Sequence, residues 1–430
     1  MTHTFSEAED YIFNIPRFAT KNSPEDTKRF LGEFGDISLS IPTIHIAGTN
    51  GKGSVCALLR DTFISAGYVP GVFTSPHLVS IRERFALGRE MISEAEFIEC
   101  FEKVLSLLES PKWKNADYHP SYFEFLFFMS VVWFGAKKPD MLILETGLGG
   151  RLDATNSISK PVITVITEIG FDHMEYLGDS IAKIAGEKAG IIKENVPVVY
   201  VDKETSGEVI KKRADMLNAK AVPVCKNSIK NLVRTRKGID FSLESHYYEN
   251  VNLSVNSGAM YQAENAAVAF KTLEALGENG TFLLTKESIQ QGFLNMYWPG
   301  RMEPIEDNIV LDGAHNEDGI KAFLESVKCD GAHKRCLLYS AVADKQIEKI
   351  TDMIISSGLF DSIYLAPLSG ARAASMERIS NCFGKYEGAL FFFNDVREAF
   401  DAMKSRPDGS EMRYVAGSLY LVGEIKEAIR

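Results

Sequence analysis

Short apolar runs alternate with longer amphipathic segments along most of this chain. PTIHIAG (42–48) reads as a strand ending in glycine, and Gly53 to Ala66 as a helix. GVFTS (71–75) is a second strand. Ser93 to Leu108 is helical, with Ser93 and Glu96 spaced as a capping box. YFEFLFFMSVVWF (122–134) is too short to span a bilayer and carries Glu124, so it predicts a buried helix. DMLILE (140–145), PVITVITEI (161–169) and VPVVYV (196–201) are unbroken apolar runs, as expected of a parallel sheet covered on both faces. The rhythm changes over 221–260, where short alternating runs and a turn at Lys237-Gly238 predict antiparallel strands appended to that sheet. YQAENAAVAFKTLEALG (261–277) is a helix stopping at Gly277. After WPGR (298–301) a second series starts, with strands at 308–314, 335–341, 362–367, 389–393 and 412–418 alternating with helices. The expected architecture is α/β: a doubly wound, mostly parallel sheet domain over 1–297, then a smaller Rossmann-like domain over 298–430.

Composition narrows the function. At roughly 150 residues per domain, 430 residues fit two or three domains. Lys and Arg total 47 against 58 Asp and Glu, a net charge of −11. That balance lacks the global footprint of a nucleic-acid binder, so anions must be held by local devices such as helix N-termini. The six cysteines form no C-x-x-C pair, which predicts reduced thiols in a cytoplasmic protein rather than disulfides or a zinc ribbon. MTHTFSEAEDYIFNIPRF has no basic region followed by an apolar run, so no signal peptide is expected. Neither a nucleic acid nor a membrane is an expected partner.

In the first domain, three segments follow strands and carry chemistry. Gly48-Thr49-Asn50-Gly51-Lys52-Gly53-Ser54 lies between a strand and a helix. Its glycines let successive N–H groups turn toward phosphate oxygens, and the helix start adds positive charge. Lys52 can reach the β- and γ-phosphates and Ser54 can serve Mg2+, which makes the first domain a P-loop domain. The spacing departs from the common Walker pattern, because Gly53 separates Lys52 from Ser54. Glu145 opens ETGLGGRLDATN at the end of a buried strand, where one carboxylate beside substrate phosphates can hold Mg2+. His173, in IGFDHMEYLG, follows a third strand and is either a ligand or structural. Ile181, Ile184, Ala185 and Lys188 share one helix face, so Lys188 stands on an apolar side. Burial lowers a lysine's pKa, and a neutral amine can take up CO2 as a carbamate. On pattern alone, snorkelling or pairing with Glu187 or another acid is the simpler reading. In the second domain, Asp312-Gly-Ala-His315-Asn follows a strand, and Arg301 marks the junction.

The chain resembles the folylpolyglutamate synthase/dihydrofolate synthase family of the Mur ligase superfamily. The resemblance rests on HIAGTNGKGSV (45–55), FTSPHL (73–78), ETGLGGRLDATN (145–156), IGFDHMEYLG with AGEKAGIIK, YQAENA (261–266), WPGR, LDGAHN (311–316) and AGSLYLVGE (416–424), in family order. It implies an ATP-dependent amide ligase that adds L-glutamate to dihydropteroate, to the γ-carboxylate of folates, or to both, through an acyl phosphate. A synthase restricted to folylpolyglutamates and a non-ligating P-loop NTPase are the alternatives. The resemblance further implies two Mg2+ ions, with K+ as another candidate ion. Ser75 and Glu145 would hold one Mg2+; His173 and carbamylated Lys188 would hold the other. Lys52, Asn265, Arg301 and Asp312 would touch ATP. His315 and Ser418 would lie near glutamate, and His77, Arg82, Asp153 and Ala154 near the pteridine or folate. A monomer is expected. A peptidoglycan Mur ligase would carry a UDP-binding domain ahead of the loop, for which a loop at residue 48 leaves no room.

Overall fold

A computed structural model describes residues 3–16, 22–114, 116, 118–235, 238–306, 308–370, 372–406 and 410–429. The chain divides into two units. The first comprises Met1–Lys230, Ser242–Leu253 and Glu264–Met296; the second comprises Asn231–Phe241, Ser254–Ala263 and Tyr297–Arg430.

The first unit is built on eight strands: β1 (Thr43–Ala47), β2 (Pro70–Phe73), β3 (Phe85–Leu87), β4 (Glu90–Met91), β5 (Met141–Glu145), β6 (Ile163–Ile166), β7 (Val198–Val201) and β8 (Ala221–Val224). Their order is β4-β3-β2-β5-β1-β6-β7-β8. β2, β5, β1, β6, β7 and β8 are parallel, and β3 and β4 add an antiparallel edge. Every residue of β1, β5, β6 and β7 is buried, as the unbroken apolar runs require. From β1 the chain steps past one position to β2 and fills the gap with β5. It then crosses to the other side of β1 for β6. The carboxyl ends of β5, β1 and β6 are therefore neighbours at the reversal of strand order, with Ile46 paired to Glu145 and Ala47 to Ile166.

The apolar stretch at 122–134 is the buried helix Tyr122–Lys137, capped by Ser121 and Glu124. Glu124 is tolerated in the interior because it accepts from Thr27 Oγ1 at 2.6 Å and from the Ser121 N–H at 2.7 Å. The helix packs in an aromatic core with Phe30, Phe73, Phe97 and Phe101. Helices Phe5–Asn14, Pro24–Leu31, Glu204–Met216 and Lys286–Leu294 complete the pattern beyond the segments named from sequence. One reading needs correction. Residues 221–224 are not part of an antiparallel set; β8 is the last parallel strand of the main sheet, paired to β7. Pro223 fits because β8 is an edge strand, where a missing ladder donor is tolerated.

Contrary to the expectation from sequence, the rest of the 221–260 stretch is not appended to the main sheet: β9 (Ile229–Arg234), β10 (Ile239–Leu243) and β11 (Val251–Val255) form a separate three-stranded sheet in the order β11-β10-β9. Lys237, of the turn read at Lys237-Gly238, lies outside the described residues. The second unit carries β12 (Glu303–Glu306), β13 (Ile309–Leu311), β14 (Arg335–Tyr339), β15 (Ser362–Leu365), β16 (Ala389–Phe392) and β17 (Met412–Ala416) in the order β12-β13-β17-β14-β15-β16. β12 is antiparallel to β13, and the other five strands run parallel. Ile320, Phe323, Leu337, Tyr339, Ile363 and Tyr414 pack its core together with Ala259. Among the described residues, no helix is long and apolar enough to cross a membrane.

Candidate active site

Strand β1 delivers the chain into a loop that only glycine can make at two points. Gly48 has φ +153°, and a Cβ there would stand 1.8 Å from Thr167 Oγ1. Gly51 has φ +86°, and a Cβ would stand 2.1 Å from Asn265 Oδ1. The helix Lys52–Ser65 starts directly after it, with Gly53 and buried Ser54 in its first turn. The segment after β6 braces the loop. Glu168 O accepts the Thr49 and Asn50 N–H groups at 2.8 and 3.3 Å. Thr49 Oγ1 donates to Gly170 O at 3.1 Å, and Thr167 Oγ1 to Asn50 O at 2.7 Å. The loop is thus fixed by the neighbouring strand end, a frame the motif itself does not reveal.

Three charged side chains meet this loop. Lys52 Nζ folds back to Gly48 O at 3.1 Å and Thr49 O at 3.4 Å, and lies 3.9 Å from Glu145 Oε1. Glu145 is buried at the end of β5, and its Oε2 accepts the Ser75 N–H at 3.0 Å. Lys188, on the helix Ile181–Ala189, is only 3% exposed and donates to Gly48 O at 2.7 Å. Burial, helped by the Lys52 charge, holds its pKa down to about 7, with Asp172 and Asp153 partly opposing. Lys188 therefore neither snorkels to solvent nor pairs with Glu187, which binds Arg151 at 2.9 Å. His173 is exposed. It has φ +49° at the start of the short helix Met174–Leu177, and its Nε2 stands 3.9 Å from Asp172 Oδ2. Asp172, which also faces the Lys188 charge, was not singled out from sequence, although its place beside His173 was a signal.

The remaining first-unit candidates occupy two nearby segments. Asp153 accepts from the Leu148 N–H at 2.8 Å, the Thr155 N–H at 3.0 Å and Thr155 Oγ1 at 2.6 Å. Burial nevertheless raises its pKa. Ala154 packs in the aromatic core. His77 Nδ1 accepts from Arg84 Nε at 2.9 Å, and the Arg84 guanidinium lies 5.5 Å from the centre of the Tyr122 ring. Arg84 was not anticipated. Arg82 turns to Ile92 O at 3.4 Å and to Glu94 at 3.5 Å, with its guanidinium over Phe5.

In the second unit, Asp312 follows β13 and is buried. Its Oδ2 accepts from Tyr261 Oη at 2.8 Å and the Met302 N–H at 2.9 Å; its Oδ1 accepts the Ala314 N–H at 2.8 Å. Burial raises its pKa, opposed chiefly by the Arg301 charge. Arg301 Nη1 donates to Gly300 O at 3.0 Å. His315 Nδ1 lies 2.8 Å from Gly313 O, and buried Ser418 caps the helix Leu419–Ala428. Tyr261 was legible only as part of YQAENA.

Comparison with known proteins decides the family. Residues 46–273 match the Mur ligase middle domain, and residues 300–419 match the Mur ligase glutamate ligase domain. A solved folylpolyglutamate synthase from Thermotoga maritima is 31% identical, with a TM-score of 0.83 covering 98% of this chain and 96% of that one. The chain belongs to the folylpolyglutamate synthase family of Mur ligases. It is also 29% identical over 439 residues to the dihydrofolate synthase/folylpolyglutamate synthase of Bacillus subtilis, covering 100% of both chains. E. coli FolC, solved in complex with DHPP and ADP, superposes with a TM-score of 0.87 at 27% identity, covering 99% of this chain and 98% of that chain. Members of this family are ATP-dependent ligases that form carbon–nitrogen bonds, and this chain is one of them. The family's nucleotide needs a hard cation, and the donor set here suits one. Glu145 offers a buried carboxylate that accepts the Ser75 N–H, and Ser54 brings a hydroxyl to the first turn of the helix that follows the loop. One carboxylate, hydroxyls and substrate phosphates suit Mg2+.

Proposed function

We propose that this chain joins L-glutamate both to the carboxylate of dihydropteroate and to the γ-carboxylate of folates. The carrying observation is the convergence of Lys52, Glu145 and Lys188 on a braced phosphate loop at three adjacent strand ends. A carboxylate does not react with an amine unaided, because it lacks a leaving group. In the first step a substrate carboxylate oxygen attacks the γ-phosphorus of ATP, the bond to the β-phosphate oxygen breaks and ADP leaves. The glutamate amine then adds to the carbonyl carbon of the acyl phosphate. The tetrahedral adduct expels inorganic phosphate, the amine's proton is lost, and an amide remains. Such chemistry asks the protein mainly for positioning and charge stabilisation.

In this reading the N–H groups of residues 48–54 and the following helix start hold the triphosphate, and Lys52 offsets charge on the transferred phosphoryl group. Asn265, Arg301 and Asp312 serve the nucleotide, and His315 and Ser418 the glutamate. His77, Arg82, Asp153 and Ala154 serve the pterin-bearing substrate. Ser54, Ser75 and Glu145 would hold one Mg2+, and His173 with Lys188 as a carbamate a second; bound there, the ions neutralise phosphoryl charge. A Lys188 amine with a pKa near 7 supports carbamylation. Six free cysteines support a cytoplasmic setting.

The test is glutamate-dependent phosphate release with dihydropteroate and with tetrahydrofolate, each product identified by mass spectrometry. Extension of both substrates supports the dual reading. Extension of tetrahydrofolate alone reduces it to folylpolyglutamate synthesis, and ATP hydrolysis without glutamate incorporation overturns it.

A further inference from the structure

A buried histidine outside the phosphate loop anchors the segment that carries Asp153. His45, the third residue of β1, is wholly buried. Its Nε2 lies 2.8 Å from Thr155 Oγ1, which lies 2.6 Å from Asp153 Oδ1. A hydroxyl has one proton to donate. Thr155 gives it to the carboxylate, so its oxygen can only accept from the ring, and His45 carries its proton on Nε2. The ring's Nδ1 is then a bare acceptor, and it has no partner among the described residues. Burial and the nearby Lys193 charge both oppose a charged imidazole. The chain of donors therefore runs one way, from imidazole to hydroxyl to carboxylate.

A leucine could fill this interior position without burying an unsatisfied ring nitrogen, which is costly. What the histidine adds is the Nε2–H that fixes Thr155. Asp153 in turn closes the segment Leu148–Thr155 through both of its oxygens. The next residue is held separately, with Asn156 O accepting from Lys193 Nζ at 2.9 Å and Asn156 Nδ2 donating to Gly190 O at 3.1 Å. The segment also lies against the helix that bears Lys188, since a Cβ on Gly150 would stand 2.8 Å from the Glu187 and Lys188 carbonyls.

We infer that His45 is a positioning residue for the pterin-bearing substrate: its Nε2–H, acting through Thr155, sets the Leu148–Thr155 segment against the strand that leads into the phosphate loop. The inference rests on the reading above, which puts Asp153 and Ala154 on the substrate side.

Dihydropteroate binding to the full-length protein in the presence of ADP, and KM values for dihydropteroate and ATP, test it. The variants are His45→Leu, His45→Gln, Thr155→Val, Thr155→Ser and the double His45→Leu/Thr155→Val. His45→Leu and Thr155→Val each weaken dihydropteroate binding about tenfold, the scale of one buried hydrogen bond. The KM for ATP stays within about twofold, because the lost interaction is confined to the other substrate. His45→Gln and Thr155→Ser, which keep a donor and a hydroxyl, recover most of the loss. The double variant is no worse than the weaker single one, since both substitutions cut the same chain. Unchanged dihydropteroate binding in the single variants, or additive losses in the double, overturns the inference. If His45→Leu does not fold, the contrast between Thr155→Val and Thr155→Ser decides. Failure of the wild type to bind dihydropteroate or folate overturns the functional reading instead, whereas a wild type that binds no better than its variants overturns this inference alone.

Discussion

Lys188 is the residue at which pattern and resemblance disagreed, and its surroundings now favour one side. Carbamate formation needs an uncharged amine. At an ordinary lysine pKa only roughly one chain in a few thousand has one at neutral pH. With the pKa held near 7, roughly half do. Burial depresses this pKa, so protonation sets in as pH falls through about 7. Glutamate-dependent turnover should fall across that interval and be raised by added bicarbonate; a flat profile from pH 8 to 6, with no bicarbonate effect, would count against the carbamate. Lys188→Ala should lose ligation and regain part of it with formate or acetate, which can occupy the vacated space as an anion. Lys52→Ala tests a different role. It removes charge at the transferred phosphoryl group and should lower kcat about 10²–10³-fold, the loss typical of such a stabiliser. Activity within about threefold of wild type would remove Lys52 from the chemistry.

At the scale of elements, the phosphate loop was readable because a buried strand, a glycine-rich turn and a helix are adjacent in sequence. What braces it was not, because Thr167, Glu168 and Gly170 lie more than a hundred residues on and meet it only through the pairing of β1 with β6. Gly48 and Gly51 make this dependence measurable. Each combines a left-handed φ with a neighbour in the place a Cβ would need, so alanine should displace the loop. Gly51→Ala should weaken ADP binding at least about tenfold, the scale of losing one strong contact. Its effect on melting should be small, because the helix Lys52–Ser65 and the sheet persist. Calorimetric titration beside a thermal melt checks both, and ADP binding equal to wild type would show that the loop tolerates the change. Other elements escaped for local reasons. The helix Glu204–Met216 has few buried positions, and Gly207 interrupts its pattern. The helices Phe5–Asn14 and Pro24–Leu31 did carry a legible signal, since Thr4 with Glu7 and Ser23 with Asp26 form capping boxes.

For the whole molecule, the break at WPGR marks where the second α/β series starts along the chain, but the second unit also includes Asn231–Phe241 and Ser254–Ala263. Sequence rhythm could not reveal this, because membership in a unit depends on contacts rather than on order along the chain. Those segments are tied in by specific bonds. Arg234 Nη1 donates to Ser326 O at 2.6 Å, the Met260 N–H donates to Ser326 Oγ at 3.2 Å, and Tyr261 Oη donates to buried Asp312 at 2.8 Å. Ala259 is wholly buried in the same core. A fragment spanning 297–430 should therefore fold less stably than one spanning 231–430 from which 242–253 and 264–296 are replaced by short flexible linkers. Three lost hydrogen bonds, one of them to a carboxylate left buried, put the difference at about 2–4 kcal/mol. Urea unfolding of the two fragments measures it directly. Adding Tyr261→Phe to the longer fragment should remove about 1–2 kcal/mol of the difference, because it strips the hydroxyl that Asp312 accepts from. Equal unfolding midpoints for the two fragments would mean that residues 297–430 form a self-sufficient domain and that the earlier segments add nothing to its stability.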